Sequence, residues 1–173
     1  MVGLAPVKFL LVDDNHHMLR IVETILQGFG ARKIVKASGI DDALHHLGQG
    51  VDIIITDYTV GGFEAVDFAR TIRESQGVYD RFIPIILLTA HSARWRIEAA
   101  RDAGITEMCC KPVTPRDLFR RIVAVVDYQR PFVLAPHYIG PDRRRRTDPV
   151  YSGPERRNGS GADMPGAAVS AAS

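Results

Sequence analysis

The sequence lacks several features that would place a protein in a class at once. It has only two cysteines, Cys109 and Cys110, and neighbours on a strand point to opposite faces, so we expect no disulfide between them. No apolar run approaches the roughly 20 residues that span a bilayer. The amino terminus has no basic segment followed by a long apolar one. The sequence therefore predicts a cytoplasmic protein in a reducing compartment, without membrane insertion.

Familiar catalytic signatures are lacking as well. There is no glycine-rich phosphate loop of the Walker type, no set of paired Cys/His metal ligands and no Ser-His-Asp signature. The neighbouring pairs His16-His17 and His45-His46 point about 100° apart on a helix, so they are predicted to be surface histidines rather than metal ligands. We therefore expect no enzymatic activity beyond the gain and loss of a phosphoryl group described below.

What the sequence does contain is a series of short apolar runs that alternate with helical patterns. The 173 residues, 46% of them apolar, suffice for one domain and an appendage. The runs cover residues 7–12, 32–37, 51–57, 83–88 and 105–110. Helical periodicity or capping residues place helices near 15–29, 38–48, 63–75, 91–103 and 114–126. Asn15 or Asp14 can cap the first helix and Thr114 the last, and the second begins at Ser38 or Asp41-Asp42. The register of the third helix is set by Phe63, Val66, Ala69, Arg70 and Ile72, and the buried stripe of the fourth holds Ala93, Ile97, Ala100 and Ala103. Alternating strands and helices of this kind predict an α/β fold with a parallel sheet.

Polar side chains stand where four of these runs end: Asp13 and Asp14, Asp57, Thr89, and Lys111. In open α/β sheets the carboxyl ends of the strands line one crevice, so we expect these groups to converge. Clustered carboxylates favour a hard cation such as Mg²⁺, and Asp57 then becomes a phosphoryl acceptor. Thr89 and Lys111 would bind the phosphoryl oxygens. The alternative for Asp57 taken alone is that it merely opens a turn.

This set of residues, with Pro112 after the lysine, resembles the receiver domain of bacterial two-component response regulators over roughly residues 5–129. The resemblance implies a doubly wound, flavodoxin-like, five-stranded parallel sheet of order 2-1-3-4-5, with a histidine kinase as a possible phosphoryl donor. It also implies that the backbone carbonyl of Thr59 joins Asp13, Asp14 and Asp57 around the metal. One position departs from the pattern: Met108 stands where receivers usually have a Tyr or Phe. The departure predicts weakened coupling from Asp57 to the surface.

The fourth helix carries a candidate partner surface. Trp95 falls off the apolar stripe of this helix and lies between Arg94 and Arg96. An exposed indole among guanidinium groups is typical of a protein-binding anchor. The alternative is that Trp95 folds back over neighbouring apolar surface.

From Arg130 onward periodicity stops, which predicts an extension without its own core. Residues 130–157 hold seven arginines against three acids, whereas residues 1–129 are nearly neutral. The expected domains are thus a receiver (1–129), an arginine-rich tail (130–157) and a disordered terminus (158–173). Within the tail, residues 138–144 and 151–157 both spell Tyr-x-Gly-Pro-acid-Arg-Arg, thirteen residues apart.

The composition of this repeat favours a guanine nucleotide. Guanidinium groups suit phosphate and the O6/N7 edge of guanine, a carboxylate accepts from guanine N1 and N2, and tyrosine or arginine planes stack on the base. Two copies suit a ligand with twofold symmetry, cyclic di-GMP, bound as its intercalated dimer. The residues predicted to bind it are Tyr138, Gly140, Pro141, Asp142, Arg143, Arg144, Arg145, Arg146, Tyr151, Gly153, Pro154, Glu155, Arg156 and Arg157.

A receiver followed by a short arginine-rich tail is similar to the CheY-like cyclic di-GMP effectors of the Cle family. That resemblance implies an adaptor that binds the nucleotide and acts at the flagellar motor or on surface attachment, with no nucleic acid as partner. The competing hypothesis is a response regulator driven by phosphorylation of Asp57, whose basic tail binds a protein, a membrane or nucleic acid nonspecifically.

Overall fold

The fold is a parallel sheet between two layers of helices, seen in a computed structural model that describes residues 3–90, 93–128 and 130–142. The strands of this sheet are β1 (Lys8–Val12), β2 (Lys33–Ala37), β3 (Ile53–Asp57), β6 (Ile85–Thr89) and β7 (Glu107–Cys110); the short β4 and β5 lie outside it. The sheet order is β2-β1-β3-β6-β7 and every pairing is parallel. This confirms the predicted doubly wound sheet and strand order. The helices are α1 (His16–Gly28), α2 (Ile40–Gly48), α3 (Ala65–Glu74), α4 (Arg94–Asp102) and α5 (Pro115–Val126).

Two apolar cores hold the layers together because successive strand residues point to opposite faces. On one face Leu10, Ile54 and Leu87 pack with α2, α3 and α4. On the other face Phe9, Ile55 and Leu88 pack with α1 and α5. With both faces covered, the central strands are apolar except near their carboxyl ends, where Thr56, Asp57 and Thr89 stand. Polar chemistry is thereby left to the strand ends.

Two helices begin as the sequence indicates. The side chain of Asn15 accepts from the backbone N–H of His17 and Met18 and caps α1. Thr114 accepts from the N–H of Asp117 and caps α5. Each cap satisfies donors that have no partner within the helix. The N-cap of α2 is Gly39, which has no side chain to bond, and the helix begins at Ile40 rather than at the predicted Ser38 or Asp41-Asp42.

The start of α3 corrects the sequence-based boundary. Helix α3 was expected from about Phe63, with that ring on the buried stripe, but it begins at Ala65. Gly61 and Gly62 both have positive φ and connect a small antiparallel pair, β4 (Thr59–Val60) and β5 (Phe63–Glu64). Two residues with positive φ are what a tight hairpin turn requires. Phe63 is consequently 64% exposed.

Two further expectations about the helices are wrong. Arg73, rather than Arg70, is the α3 arginine that is buried. Helix α4 begins at Arg94 instead of about residue 91, and Ile97, predicted on its buried stripe, is 38% exposed. Ala100 is the one buried residue within α4. Ala103, also predicted on the stripe, is buried but lies just after the end of the helix. Small residues thus let α4 lie close to the sheet while most of its surface faces solvent.

The extension begins with an ordered hairpin, β8 (Phe132–Ala135) paired antiparallel with β9 (Tyr138–Pro141). Regular structure was not expected from Arg130, because a two-stranded hairpin has no core of its own. The receiver supplies one: the Phe132 ring lies 5.3 Å from that of Phe82 and 5.1 Å from the guanidinium carbon of Arg73. Residues 143–173, which include the terminus predicted to be disordered (158–173), lie outside the described residues.

The hairpin docks at the amino-terminal edge of the sheet. Arg130 donates to the carbonyl of Thr106 and lies 3.4 Å from the Glu107 carboxylate, just before and at the start of β7. A Cβ on Gly104 would come within 2.5 Å of the Ile139 carbonyl, so this position accommodates only glycine. Buried Arg73 donates twice to the Gly104 carbonyl, at 3.0 and 2.8 Å. The hairpin therefore occupies the edge opposite the carboxyl ends of the strands.

Candidate functional site

Asp57 and Lys111 meet at the carboxyl edge of the sheet. Asp57 is the last residue of β3, and Lys111 directly follows β7. The Lys111 ammonium lies 2.8 Å from Asp57 Oδ1. The same oxygen accepts a 2.7 Å hydrogen bond from the backbone N–H of Tyr58. The Asp57 side chain is 22% exposed, so it is oriented by the protein and still open to a reactant.

Asp13 is the most buried carboxylate of the site, only 4% exposed. Its Oδ1 accepts from the backbone N–H of Asn15 at 2.8 Å. Its Oδ2 is buried without a hydrogen-bond partner and lies 3.7 Å from the Lys111 ammonium. Burial raises the pKa of Asp13 and the backbone hydrogen bond opposes this; the negative charge of Asp57 raises it further. Asp13 thus places a buried carboxylate oxygen, free of hydrogen bonds, where a positive group can bind it.

Thr89 and Lys111 are joined through the backbone. Thr89 ends β6 and is buried, and its carbonyl accepts from the Lys111 N–H at 2.8 Å. Met108, three residues before the lysine, is half-buried and packs against the core on the α3 and α4 side. Three neighbouring strands therefore end in the predicted order: β3 at Asp57, β6 at Thr89 and β7 just before Lys111.

The residues fit a hard cation in part. Asp13 contributes a buried oxygen without a partner, and Asp57 lies across Lys111 from it. Asp14 is turned aside, since its Oδ2 accepts from the Gly61 N–H at 3.0 Å. Thr59 opens β4 two residues after Asp57. In the described part of the chain no three His, Cys, Asp or Glu side chains stand together in a ligating arrangement. The donor set suits Mg²⁺, which takes few carboxylates and keeps several waters.

The partner surface predicted on α4 is exposed as expected for Trp95, at 61%. Arg94 points outward and pairs with Glu98 at 2.8 Å. Arg96 differs from its neighbour: its guanidinium carbon lies 4.8 Å from the ring centroid of Trp95 and 4.8 Å from that of Tyr58. Tyr58 is a residue that sequence reasoning missed. Its position directly after the acceptor was the available signal.

The tail residues that are both described and predicted to bind a nucleotide lie apart from Asp57. Tyr138, Gly140 and Pro141 belong to β9, and Asp142 follows it at the amino edge of the sheet. The Tyr138 hydroxyl donates to the Pro141 carbonyl, and a Cβ on Gly140 would come within 2.7 Å of Gly104 Cα. These residues of the first repeat therefore take part in folding and docking the hairpin. The remaining predicted ligands, Arg143 to Arg146 and the second repeat from Tyr151 to Arg157, lie outside the described residues.

Sequence reasoning also missed an ionic cluster at the foot of β7. Glu107 is buried and pairs with Arg121 at 3.0 Å and with Arg130 at 3.4 Å. Burying one carboxylate between two guanidinium groups satisfies a charge that would otherwise be costly. The pairing joins α5 and the hairpin to the strand that ends beside Lys111.

Asp57 ends the central strand of a doubly wound sheet, and Lys111, the buried Thr89 and the buried Asp13 lie at the same edge. The chain belongs to the response regulator receiver domain family, which residues 9–123 match. It is 29% identical to the chemotaxis protein CheY of Pseudomonas aeruginosa over 121 residues, which is 69% of this chain and 96% of that protein. It is 30% identical to CheY-3 of Vibrio cholerae over 116 residues, 66% of this chain and 88% of that one.

Solved structures resemble the same part of the chain. CheY4 of Vibrio cholerae superimposes with a TM-score of 0.63 at 27% identity, covering 69% of this chain and 98% of that one. The receiver domain of the sensor histidine kinase PA1611 from Pseudomonas aeruginosa gives 0.60 at 25% identity, covering 68% and 94%. That structure holds a magnesium ion in its active-site cleft. The described helices include none long and apolar enough to cross a membrane.

Proposed function

We propose that this protein is a CheY-like signalling adaptor that accepts a phosphoryl group on Asp57, binds cyclic di-GMP through its arginine-rich repeats and acts by engaging a protein partner. The observation that carries the first part is Lys111, held 2.8 Å from Asp57 and 3.7 Å from Asp13. A cation placed between two carboxylates, one with a buried oxygen that has no hydrogen-bond partner, is suited to a phosphoryl group arriving at that point.

The chemistry follows from the positions of the side chains. A carboxylate oxygen of Asp57 attacks the phosphorus of a donor, the bond to the leaving group breaks, and an acyl phosphate remains on Asp57. Lys111 and the hydroxyl of Thr89 bind the phosphoryl oxygens. Asp13, Asp14, Asp57 and the Thr59 carbonyl are the groups that would hold Mg²⁺, with Asp14 turning from Gly61. Bound Mg²⁺ supplies neutralisation of the transferred charge. A histidine kinase is the proposed donor, and the chain itself is not otherwise an enzyme.

The burial of Asp13 should lower the stability of the metal-free protein while providing an oxygen for a metal ion. Because burial raises the pKa of Asp13, the folded protein holds that proton more tightly than the unfolded chain. The stability from this group is complete below the ordinary pKa of 3.8 and is lost as the pH rises through the raised value. At neutral pH the ionised carboxyl with its unpaired oxygen is therefore a cost.

Asp13→Asn should remove that cost, raising the unfolding free energy of the metal-free protein by about 1 kcal/mol at neutral pH. Asparagine keeps an oxygen for the Asn15 N–H. Mg²⁺ should stabilise the natural protein by mass action and the variant much less. Denaturation at pH 4 and 7, with and without Mg²⁺, measures both effects. In the absence of Mg²⁺, Asp14→Asn is the control for the gain in stability, because Asp14 is exposed and should give none. A variant less stable than the natural protein at pH 7 would refute this account.

Cyclic di-GMP recognition is assigned to the two repeats. Each offers guanidinium groups, one carboxylate and one tyrosine, which suit the phosphate, the guanine hydrogens and the base plane. The carboxylate inside each basic motif favours a guanine over nonspecific contact with nucleic acid. Docking of β9 on the receiver fixes Tyr138 to Pro141, the first four residues of the first repeat. The proposed output is an interaction with the flagellar motor or another signalling protein, by analogy with the chemotaxis relatives.

The proposed contact for this partner is the exposed face of α4. Replacing Trp95 with alanine should weaken partner binding by about 2 kcal/mol or more, as loss of an interfacial aromatic anchor does. Folding should be nearly unchanged, because the ring is 61% exposed. Calorimetry against motor components of the source organism, together with thermal unfolding, measures both. Tyr128→Ala is the matched control, since that ring is 74% exposed and lies beyond α5. Equal losses of binding in the two variants would argue against an α4 contact.

A further inference from the structure

Three planar side chains stack between the acceptor and the partner face. The guanidinium carbon of Arg96 lies over the rings of both Tyr58 and Trp95, 4.8 Å from each centroid. Tyr58 is 4% exposed and Trp95 is 61% exposed. The stack therefore runs from the interior beside Asp57 to the surface of α4.

The inner end of this stack is tied to Asp57 through the backbone. The Tyr58 N–H donates to Asp57 Oδ1 at 2.7 Å, and the Tyr58 carbonyl accepts from the Ala65 N–H at 2.8 Å. Asp57 Oδ1 is also the oxygen that Lys111 contacts. A change in the charge of the Asp57 carboxyl therefore acts directly on a bond that orients Tyr58.

The middle of the stack requires arginine. A guanidinium is flat and can lie against two aromatic faces at once, whereas an ammonium is a compact, strongly hydrated charge. Arg94, two residues before Arg96, pairs with Glu98 on the outer surface and lies over no ring among the described residues. Met108, in the strand beside Thr89, has neither a ring nor a hydrogen-bonding hydrogen with which to carry the same signal.

We propose that Arg96 is a positioning residue that couples the state of the Asp57 carboxyl to the orientation of Trp95. It touches neither the acceptor nor the transferred group and acts through Tyr58. Phosphorylation as the natural trigger rests on the function proposed above. The coupling itself concerns any change of charge at Asp57. It gives the partner face on α4 a connection to the acceptor that does not pass through β7.

The test uses the full chain, in which Trp95 is the only tryptophan, so indole fluorescence reports this side chain alone. Two perturbations are applied at Asp57: acetyl phosphate with Mg²⁺, and the substitution Asp57→Asn. Each should change the Trp95 emission when Arg96 is present. In Arg96→Ala and Arg96→Lys most of that change should be lost, while phosphoryl incorporation, measured by intact-protein mass spectrometry, stays at the level of the natural protein. Arg94→Ala is the control and should keep the change.

The outcomes separate the two proposals. If acetyl phosphate adds no phosphoryl group but Asp57→Asn alters Trp95 emission only when Arg96 is present, the coupling holds and the proposed acceptor function fails. If either perturbation alters emission equally with and without Arg96, the coupling is overturned. It is also overturned if neither perturbation reaches Trp95 in the natural sequence. Thermal unfolding of Arg96→Ala excludes a general loss of structure as the cause of a lost signal.

Discussion

Asp57→Asn should abolish incorporation of phosphoryl groups from acetyl phosphate in the presence of Mg²⁺, where the natural protein takes up one per chain. The amide lacks the anionic oxygen that attacks phosphorus. Lys111 would remain in place, but without the carboxylate that it contacts at 2.8 Å. Intact-protein mass spectrometry and phosphate-affinity electrophoresis measure the result directly.

The matched control is Asp52→Asn, at the opposite end of the same strand region. Asp52 accepts from the Lys8 N–H at 2.7 Å, a bond that an asparagine oxygen preserves. Phosphorylation of this variant should equal that of the natural protein. If the Asp57 variant is labelled as strongly as the control, the phosphoryl group is carried elsewhere. If the natural protein takes up none, the site is structural and only the fold of a receiver remains.

Arg143→Ala and Arg156→Ala should each remove most of the binding of cyclic di-GMP. Ordering the segment costs about 1–2 kcal/mol per backbone residue fixed, so two copies of charge-assisted contacts and stacking are needed to offset that cost. One copy should be too weak. Isothermal titration calorimetry with the full chain measures the loss. Arg120→Ala, an exposed arginine on α5, is the control for a change in net charge alone.

Removing the carboxylates of the repeats should change the affinity in opposite directions under the two hypotheses, guanine recognition and a nonspecific basic tail. Removing a negative charge from a cationic segment strengthens a purely electrostatic contact with phosphate. Removing one that accepts from guanine weakens binding instead. Asp142→Ala and Glu155→Ala should therefore bind less, and cyclic di-AMP should compete poorly. Tighter binding by these variants, with a steep dependence on salt, would indicate a nonspecific basic tail.

A peptide of residues 136–157 should bind cyclic di-GMP without the receiver, because all groups assigned to recognition lie within it. The peptide contains β9 but lacks β8, which pairs with β9 in the protein. It also lacks Arg130, which donates to the Asp142 carbonyl just after β9. A second peptide of residues 130–157 therefore serves as the comparison. Binding by neither peptide, together with binding by the full chain, would place part of the ligand site on the receiver.

The sheet and the position of Asp57 at its carboxyl edge could be predicted because both follow from short-range patterns. Apolar runs that end in Asp13, Asp57 and Thr89 become the carboxyl ends of neighbouring parallel strands. Parallel pairing brings such ends to one edge whatever the details of packing. The caps at Asn15 and Thr114 depend only on the nearest few residues, and they also appear where the sequence places them.

The hairpin and the buried arginine could not be predicted in this way. Phe132 and Gly140 become interpretable only against Arg73 and Gly104, which are remote in sequence. Arg73 shows why hydropathy misleads at such positions: burial lowers its pKa to about 9, yet three hydrogen bonds to the carbonyls of Gly104 and Arg81 retain it in the interior. Periodicity likewise gave the face of α4 on which Trp95 lies but not the stacking of Arg96 across Tyr58.

Strand β7 is only four residues long, and both of the chain's proposed inputs reach it. Its first residue, Glu107, is held by Arg130 of the docked extension, and Lys111 at the acceptor follows its last residue. At about 3.3 Å per residue, the two ends of this strand are close together, so we expect a displacement at Glu107 to be felt at Lys111. Thermodynamic linkage then sets a condition on the two ligands. Whatever factor phosphorylation imposes on the affinity for the nucleotide, the nucleotide must impose on the phosphorylation equilibrium. A measured factor of one would mean that the strand is a passive spacer and that the adaptor reads its two signals independently.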